Sequence, residues 1–367
     1  MSRFGIQLKQ RHDMKHIVKI AFLMLGAVMI LTSCDRNRHT PDPGAQGVPI
    51  SFSALSQEAP VKASAFPENS DFGVWGIARY KDKTKPEYIP WLVNNEGKMA
   101  KVSSQGVPET GGYWFSGYTY NFIAVAPYDL GTSTLTFTEE TPGSNDALTL
   151  EFSMADKYEA SQFDYDLMGA VGEQTVADAK NAVTQKLFFW HLLAKIRIKV
   201  SFANLPTGST GSVTGLRLHK VATERTYSIT DVISEVNTAP EKAFKVTYDT
   251  TTDGQQPMTI TLDSNDMLTV NDSEEGNYQY KIVHIIPQSI GDFELDLDFK
   301  IGDVQTNGYK LNLDAAKYTT TDGVKTPVVY LHNQWYNWNI TITPKGIGFD
   351  VTVTPWEDAT DDEFDFE

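Results

Sequence analysis

The chain holds one cysteine, Cys34, and it closes the tetrapeptide Leu31-Thr32-Ser33-Cys34. A lone thiol behind a small residue, with an aliphatic residue three places upstream, is the pattern of a lipobox. There a signal peptidase cuts between Ser33 and Cys34 and the thiol carries a diacylglycerol. The apolar run from Ile20 to Leu31 follows Lys15, His16 and Lys19. It is a secretory leader segment, short of the ~20 apolar residues of a membrane-spanning helix. Met14 is an alternative start, because the stretch before it adds nothing to this signal. Several acyl chains on Cys34, at about 0.8 kcal/mol per buried CH₂, would make a lasting membrane anchor. That covalent lipid is the only non-protein group the sequence calls for, with no cofactor and no metal.

The rest of the chain is poor in chemistry. It has no Gly-x-Ser-x-Gly elbow, no Gly-x-Gly-x-x-Gly, no phosphate loop and no His-Glu-x-x-His. His191, His219, His284 and His332 are scattered without paired ligand spacing. His191 stands at a strand entrance and reads as a hydrogen-bonded core or edge histidine. Asp292, Glu294, Asp296 and Asp298 alternate with Phe293, Leu295, Leu297 and Phe299, which puts four carboxylates on one strand face. The plain reading is a solvated face. The sharper one is an acidic rail for Ca²⁺, or for the basic row Lys195, Arg197 and Lys199 of a neighbouring molecule. A glycosidase pair would need carboxylates opposed across a cleft rather than in one row. Trp75, Trp91 and Trp114 are candidates for an aromatic surface that stacks on sugar rings, whereas Trp338 shares its face with Tyr336, Ile340 and Ile342 and reads as core. These residues describe a non-enzymatic protein.

Composition sets the frame for the elements that position these residues. Net charge is −16 and the pI about 4.9, which argues against nucleic acid or an anionic membrane surface as partner. With no cysteine left for a disulfide, an exported chain of this length must be held by buried apolar surface. After Cys34 the residues up to Pro49 are polar, rich in Pro and Gly and aperiodic, which reads as a flexible tether.

From Ile50 onward the period is two almost everywhere. Ile50, Phe52 and Ala54 alternate with serines, and Phe72, Val74, Gly76 and Ala78 share one face of their run. From Ala194 to Phe202, apolar residues alternate cleanly with Lys195, Arg197, Lys199 and Ser201. A helix would scatter these, while a half-buried antiparallel strand separates them. Helical periodicity is scarce, with a turn or two at Val176 to Val183. The Asn204 to Gly211 stretch is the strongest internal linker signal. The expectation is therefore all-β: a signal peptide at 1–33, a tether at 34–49, and antiparallel β-sandwich domains at 50–205 and 212–367, the second ending in an acidic tail.

Several motifs resemble one family. They are Ile50-Ser51-Phe52-Ser53, Asp71-Phe72-Gly73-Val74-Trp75-Gly76, Tyr113-Trp114, Tyr120 to Pro127, and Asp166-Leu167-Met168. Phe189-Trp190-His191-Leu192-Leu193-Ala194-Lys195-Ile196, Ile286-Pro287-Gln288 and Trp338-Asn339-Ile340-Thr341 complete the set. In number and order they resemble the Mfa-like fimbrillin family, from the lipobox to Trp356.

The resemblance implies two transthyretin-like sandwiches and a subunit, as stalk, anchor or tip, of the lipoprotein-derived type V pilus of the Bacteroidota. It implies an outer-membrane, surface-exposed location in a fimbrium, with other fimbrillin subunits as partners and cell adhesion as the role. A trypsin-like protease would remove the tether with the first strand, Ile50, Phe52 and Ala54, and a terminal strand of the next subunit would fill the groove. Lys62 stands where the family usually has an arginine. Ile347, Phe349, Val351 and Val353 are the candidate donor row, or else the last strand of their own domain. The tail with Phe364 and Phe366 is a second candidate donor or a free end. The alternative function is a monomeric surface lipoprotein that captures host or bacterial glycans as nutrients.

Overall fold

The period-two pattern is realised as strands almost throughout the computed structural model, which describes residues 48–56, 71–80, 89–90, 99–103, 106–109, 112–138, 147–231, 244–247, 258–272, 276–289, 294–311, 317–319, 325–327 and 329–355. The lipobox, Cys34, Lys62, Trp91, Asp292 and the acidic tail lie outside these residues. Gly47–Glu367 forms one compact unit. The all-β, β-sandwich expectation holds: among the described residues the strands are interrupted by one α-helix, Ala155–Glu159, and by 3₁₀ turns at Ala179–Asn181 and Ser264–Asp266, the first of these turns inside the stretch where a turn or two was expected.

Four principal sheets carry the fold. A seven-stranded sheet runs in the order Phe52–Ser56, Gln185–His191, Met168–Val176, Tyr118–Ala126, Phe72–Tyr80 and Ile89–Pro90, with Ala100–Val102 also on Phe72–Tyr80. A five-stranded sheet is ordered Leu268–Asp272, Gly276–Ile285, Ala194–Phe202, Gln334–Thr343, Gly346–Pro355. It belongs to the same core as the four-stranded sheet Met258–Asp263, Gly211–Val221, Glu294–Ile301, Val304–Leu311. Ile196, Ile198, Val200, Val283, Trp338 and Ile340 of the first meet Val213, Leu216, Leu218, Ile260, Leu295 and Leu297 of the second in that one cluster. Each side chain so buried is worth about 1.5–3 kcal/mol. The last four-stranded sheet joins Phe244–Thr247, Glu224–Asp231, Ala147–Ser153 and Thr134–Thr138.

Three expectations need correcting. The division at 205–212 separates no sheets: Ala194–Phe202 pairs with Gly276–Ile285 and Gln334–Thr343, and Ala147–Ser153 pairs with Glu224–Asp231. The two hydrophobic clusters interleave along the chain up to Phe189, since Trp75, Ile123, Leu150 and Leu167 already belong to the cluster of Leu192 and the residues after it. A polar, Gly-containing loop marks a turn, and a turn need not mark a domain edge. Ala194–Phe202 is also central rather than purely antiparallel, since its Gln334–Thr343 neighbour runs parallel. Pairing also begins before Ile50, because Val48 and Pro49 pair with Trp114 and Tyr113.

A local device occurs twice. The Tyr120 hydroxyl donates to the Tyr113 carbonyl (3.2 Å) and accepts from the Phe115 amide (2.7 Å). The Tyr336 hydroxyl donates to the Val329 carbonyl (2.6 Å) and accepts from the Leu331 amide (2.8 Å). Both are tyrosine corners with the same sequence offsets. Trp114 packs edge-on against Tyr120 at 4.7 Å, and Tyr330 against Tyr336 at 4.6 Å. The intervening turn needs a left-handed residue, which is Gly117 (φ 84°) in one and Asn333 (φ 54°) in the other. Tyr120-Asn121-Phe122 and Tyr336-Asn337-Trp338 are the sequence trace of this repeat.

Candidate functional site

Fold and charge direct attention to the first strand. Phe52–Ser56 is the outer member of the seven-stranded sheet and runs parallel to Gln185–His191, with Phe52 beside Gln185 and Ala54 beside Leu187. The Gln185 amide donates to the Ser51 carbonyl at 2.9 Å. On the opposite side the Ile50 amide donates to the Gly112 carbonyl (2.9 Å) and the Phe52 amide to the Gly106 carbonyl (2.8 Å). The segment therefore lies in a seat with hydrogen-bonding walls on both sides. Gly106 (φ 75°) approaches so closely that a Cβ there would collide with the Phe52 carbonyl oxygen. Only glycine fits both that conformation and that space.

The floor of the seat is aromatic. Ile50 and Phe52 are buried, and the Phe52 ring meets Phe122 edge-on at 5.1 Å and Phe72 at 6.4 Å. Leu187, Phe189, Trp114 and Val102 complete the cluster, with Ala54 packed against it. Removing the segment would open an apolar trench together with a row of main-chain donors and acceptors.

At the other end of the chain, Gly346–Pro355 is the edge strand of the five-stranded sheet and pairs antiparallel with Gln334–Thr343 over its whole length. Of the two open readings of Ile347, Phe349, Val351 and Val353, the strand of the chain's own sheet is the one seen here. Val351 is buried and the other three pack partly buried on the core, with Phe349 edge-on to Trp338 at 5.8 Å. Sequence reasoning missed that Ile347-x-Phe349-x-Val351 repeats the order of Ile50-x-Phe52-x-Ala54. A direct comparison of the two terminal strands would have found it.

The proposed aromatic surface is overturned where it can be seen. Trp75 and Trp114 are 6% and 1% exposed. The sheet of Trp75 is covered on both faces: Phe72 and Val74 enter one cluster while Trp75, Ile123 and Val125 enter the other. Alternation alone could not reveal a second covered face.

The charged rows are likewise engaged. Arg217 grips Asp298 with two hydrogen bonds of 2.7 and 2.9 Å, and this guanidinium holds the Asp298 carboxyl below its ordinary range. Asp296 takes His219 Nε2 at 3.0 Å and Glu294 takes Lys220 at 2.7 Å. Glu294, Asp296 and Asp298 are thus paired across their own sheet, while Asp292 lies outside the described residues. Among the described residues no group of three or more His, Cys, Asp or Glu is placed to hold a metal ion. His191 Nδ1 lies 2.7 Å from Asp166, in keeping with a hydrogen-bonded edge histidine.

Comparison with known proteins agrees with this architecture. A family model described as fimbrillin-like matches residues 60–356. A fimbrial protein from Bacteroides vulgatus superposes with TM-score 0.53 at 15% identity, covering 84% of this chain and 99% of that one. A candidate cell adhesion protein from Bacteroides ovatus gives 0.47 at 14% identity, covering 85% and 98%. The fimbrial anchor protein Mfa2 from Porphyromonas gingivalis gives 0.36 at 8% identity, covering 84% and 98%. Among curated proteins none matches this sequence.

Proposed function

Since this chain belongs to the fimbrillin-like family, we propose that it is a lipid-anchored fimbrial subunit at the cell outer membrane that joins its neighbours by replacing its first strand. The observation that carries this reading is the two-sided seat of Ile50, Phe52 and Ala54. An added strand gains its affinity from main-chain hydrogen bonds on the seat walls and its specificity from alternate side chains in pockets. The seat supplies both, with Gln185 on one side, Gly106 and Gly112 on the other, and Phe72 and Phe122 beneath.

The incoming strand is the Ile347 to Val351 segment of a second copy. Its Ile-x-Phe-x-Val order sets Ile347 at the Ile50 position, Phe349 at that of Phe52 and Val351 at that of Ala54. The segment lies at the edge of its own sheet, so its release breaks main-chain pairing with one strand only, Gln334–Thr343. Proteolysis after Lys62 frees the first strand, and the lipid on Cys34 holds the precursor at the membrane until then. Adhesion is the role of the resulting fibre.

Lys62→Gln in the native cell tests the reading. The wild-type protein is expected to run as SDS-resistant multimers whose subunits begin after Lys62, and the variant as a monomer that keeps residues 50–56. Multimers of undiminished abundance in the variant, still carrying the first strand, would sink strand replacement.

A further inference from the structure

The edge strand Val304–Leu311 carries the only Asn-Gly pair of the chain, Asn307-Gly308. The pair forms a bulge: Leu297 pairs with Tyr309 and Phe299 with Thr306, so Asn307 and Gly308 together face Asp298. On the other side Gly211–Val221 is irregular at the same level, where Val213 pairs with Phe299 and Gly215 with Asp298, which leaves Thr214 over. Asp298 thus stands between two bulges. A Cβ on Gly215 would press on its Oδ2 at 3.1 Å, so the glycine makes room for the carboxylate.

These bulges assemble the parts of a ring closure. The backbone nitrogen of a glycine can attack the side-chain carbonyl carbon of a preceding asparagine, and the two reacting atoms, being in adjacent residues, are always close. Gly308 leaves the approach open: it is exposed, its φ is 63°, and a Cβ placed on it would meet nothing within 4 Å. Its N–H donates to Asp298 Oδ1 at 2.6 Å, so the proton that the nitrogen must lose already points at an anion. Arg217 fixes that carboxylate with its two hydrogen bonds and keeps it ionised, ready to pass a proton on rather than hold it.

The carbon under attack is prepared as well. Gln305 Nε2 donates to Asn307 Oδ1 at 2.9 Å and to Thr214 Oγ1 at 2.7 Å, so the residue left over by one bulge positions the donor that serves the other. A fixed donor on Asn307 Oδ1 stabilises the negative charge this oxygen gains when its carbon is attacked. Nucleophile, proton acceptor and oxyanion donor therefore meet at one exposed asparagine.

We infer that Asn307 is a self-modification site, at which the folded protein converts its own asparagine to aspartate and isoaspartate. The Gly308 nitrogen bonds to Asn307 Cγ as the bond from Cγ to the side-chain nitrogen breaks. The Gly308 proton passes by way of Asp298 to that leaving nitrogen, which departs as ammonia. Water then adds to one or the other carbonyl of the resulting succinimide and opens it, with no change of oxidation state. Aspartate sets a second carboxylate beside Asp298, and isoaspartate adds a carbon to the main chain of the bulge, so both products loosen Val304–Leu311 from Glu294–Ile301. None of these steps depends on a fimbrial role.

Timed incubation of the full chain at neutral pH in heavy-oxygen water, followed by peptide mapping and mass spectrometry, is the test. The comparator is a synthetic peptide of residues 304–311 with blocked ends in the same buffer, which has the Asn-Gly pair without the bulges. Expected is the entry of one heavy oxygen at residue 307, with a rate in the protein at least about five-fold above that in the peptide. Gln305→Ala should slow the protein's reaction by roughly ten-fold, and Asp298→Asn should slow it too. Gln305 is exposed, so its variant keeps the test clear even if Asp298→Asn, which leaves Arg217 without its partner, disturbs the sheet. A protein that reacts more slowly than the peptide would show that the bulge shields Asn307 and would overturn the proposal. An unchanged rate in Gln305→Ala would overturn it as well, by reducing these contacts to a support for the bulge.

Discussion

The two tyrosine corners share hydrogen-bond offsets, an aromatic partner and a left-handed turn residue, yet they are closed by different kinds of segment. In the first, Tyr113 and Trp114 pair with Pro49 and Val48, which lead directly into the first strand. In the second, Val329 and Tyr330 pair with Ser289 and Gln288, well inside the chain. The same device is therefore completed once by a segment upstream of Lys62 and once by a segment that no single cut can release. Equal local geometry does not mean equal permanence.

The largest expected effect breaks the comparison at the seat. Phe52→Ala empties the aromatic floor under the first strand and should destabilise the protein by about 3–5 kcal/mol. Hydrogen exchange should register the loss at residues 50–56 and 118–126 and leave residues 334–343 unchanged. Equal loosening of both regions would mean that the first corner is not a separable unit.

A smaller effect sharpens the difference within the turns. Ser116 stands in the first corner, where its hydroxyl takes the Ala179 amide at 2.9 Å, while the equivalent place in the second is His332. Burial pushes the His332 imidazole from its ordinary 6.5 down to about 4, and burial also lowers that of His284. The folded protein keeps these rings neutral while the unfolded chain takes up protons below about pH 6.5. Stability is thus full above that pH and falls as the pH drops towards 4, by about 2 kcal/mol for His332 after allowing for its partial exposure. Asp298, held below its ordinary 3.8 by Arg217, acts only at still lower pH. Urea midpoints at pH 7 and 4.5 should converge for His332→Asn, and an undiminished pH dependence in that variant would reject this assignment.

The smallest effect compares the hydroxyls themselves. Tyr120→Phe and Tyr336→Phe each remove one donor and leave a carbonyl and an amide unpaired, at about 1–2 kcal/mol. Since the bonds are alike, thermal melts should shift by similar amounts. A large inequality would show that the corners are not the same device.

Much of this fold was legible in the residues because strands exposed on one face alternate. The core of Ile196, Ile198 and Val200, the buried Trp338 and the family motifs all follow from that. Trp75 was misread because its sheet is covered twice, and alternation reports only the contrast between faces. The domain edge was misread because pairing between Ala194–Phe202 and Gln334–Thr343 spans more than a hundred residues and leaves no local mark. The Gly106 wall was equally silent: a glycine in a polar loop gives no sign that a carbonyl oxygen will lie against it. Cys34 and Lys62 remain readings of the sequence, outside the described residues.

The parallel pairing of Phe52–Ser56 with Gln185–His191 bears on the order in which the molecule comes together. Parallel neighbours cannot share a hairpin, and these two are separated by more than a hundred residues. The strands Phe72–Tyr80, Tyr118–Ala126 and Met168–Val176 meet through closer antiparallel contacts. Loop-closure entropy favours those contacts first and leaves Phe52–Ser56 to arrive once its partner and the Gly106 wall are in place. A folding chain would thus pass through a stage in which the trench is complete and still empty.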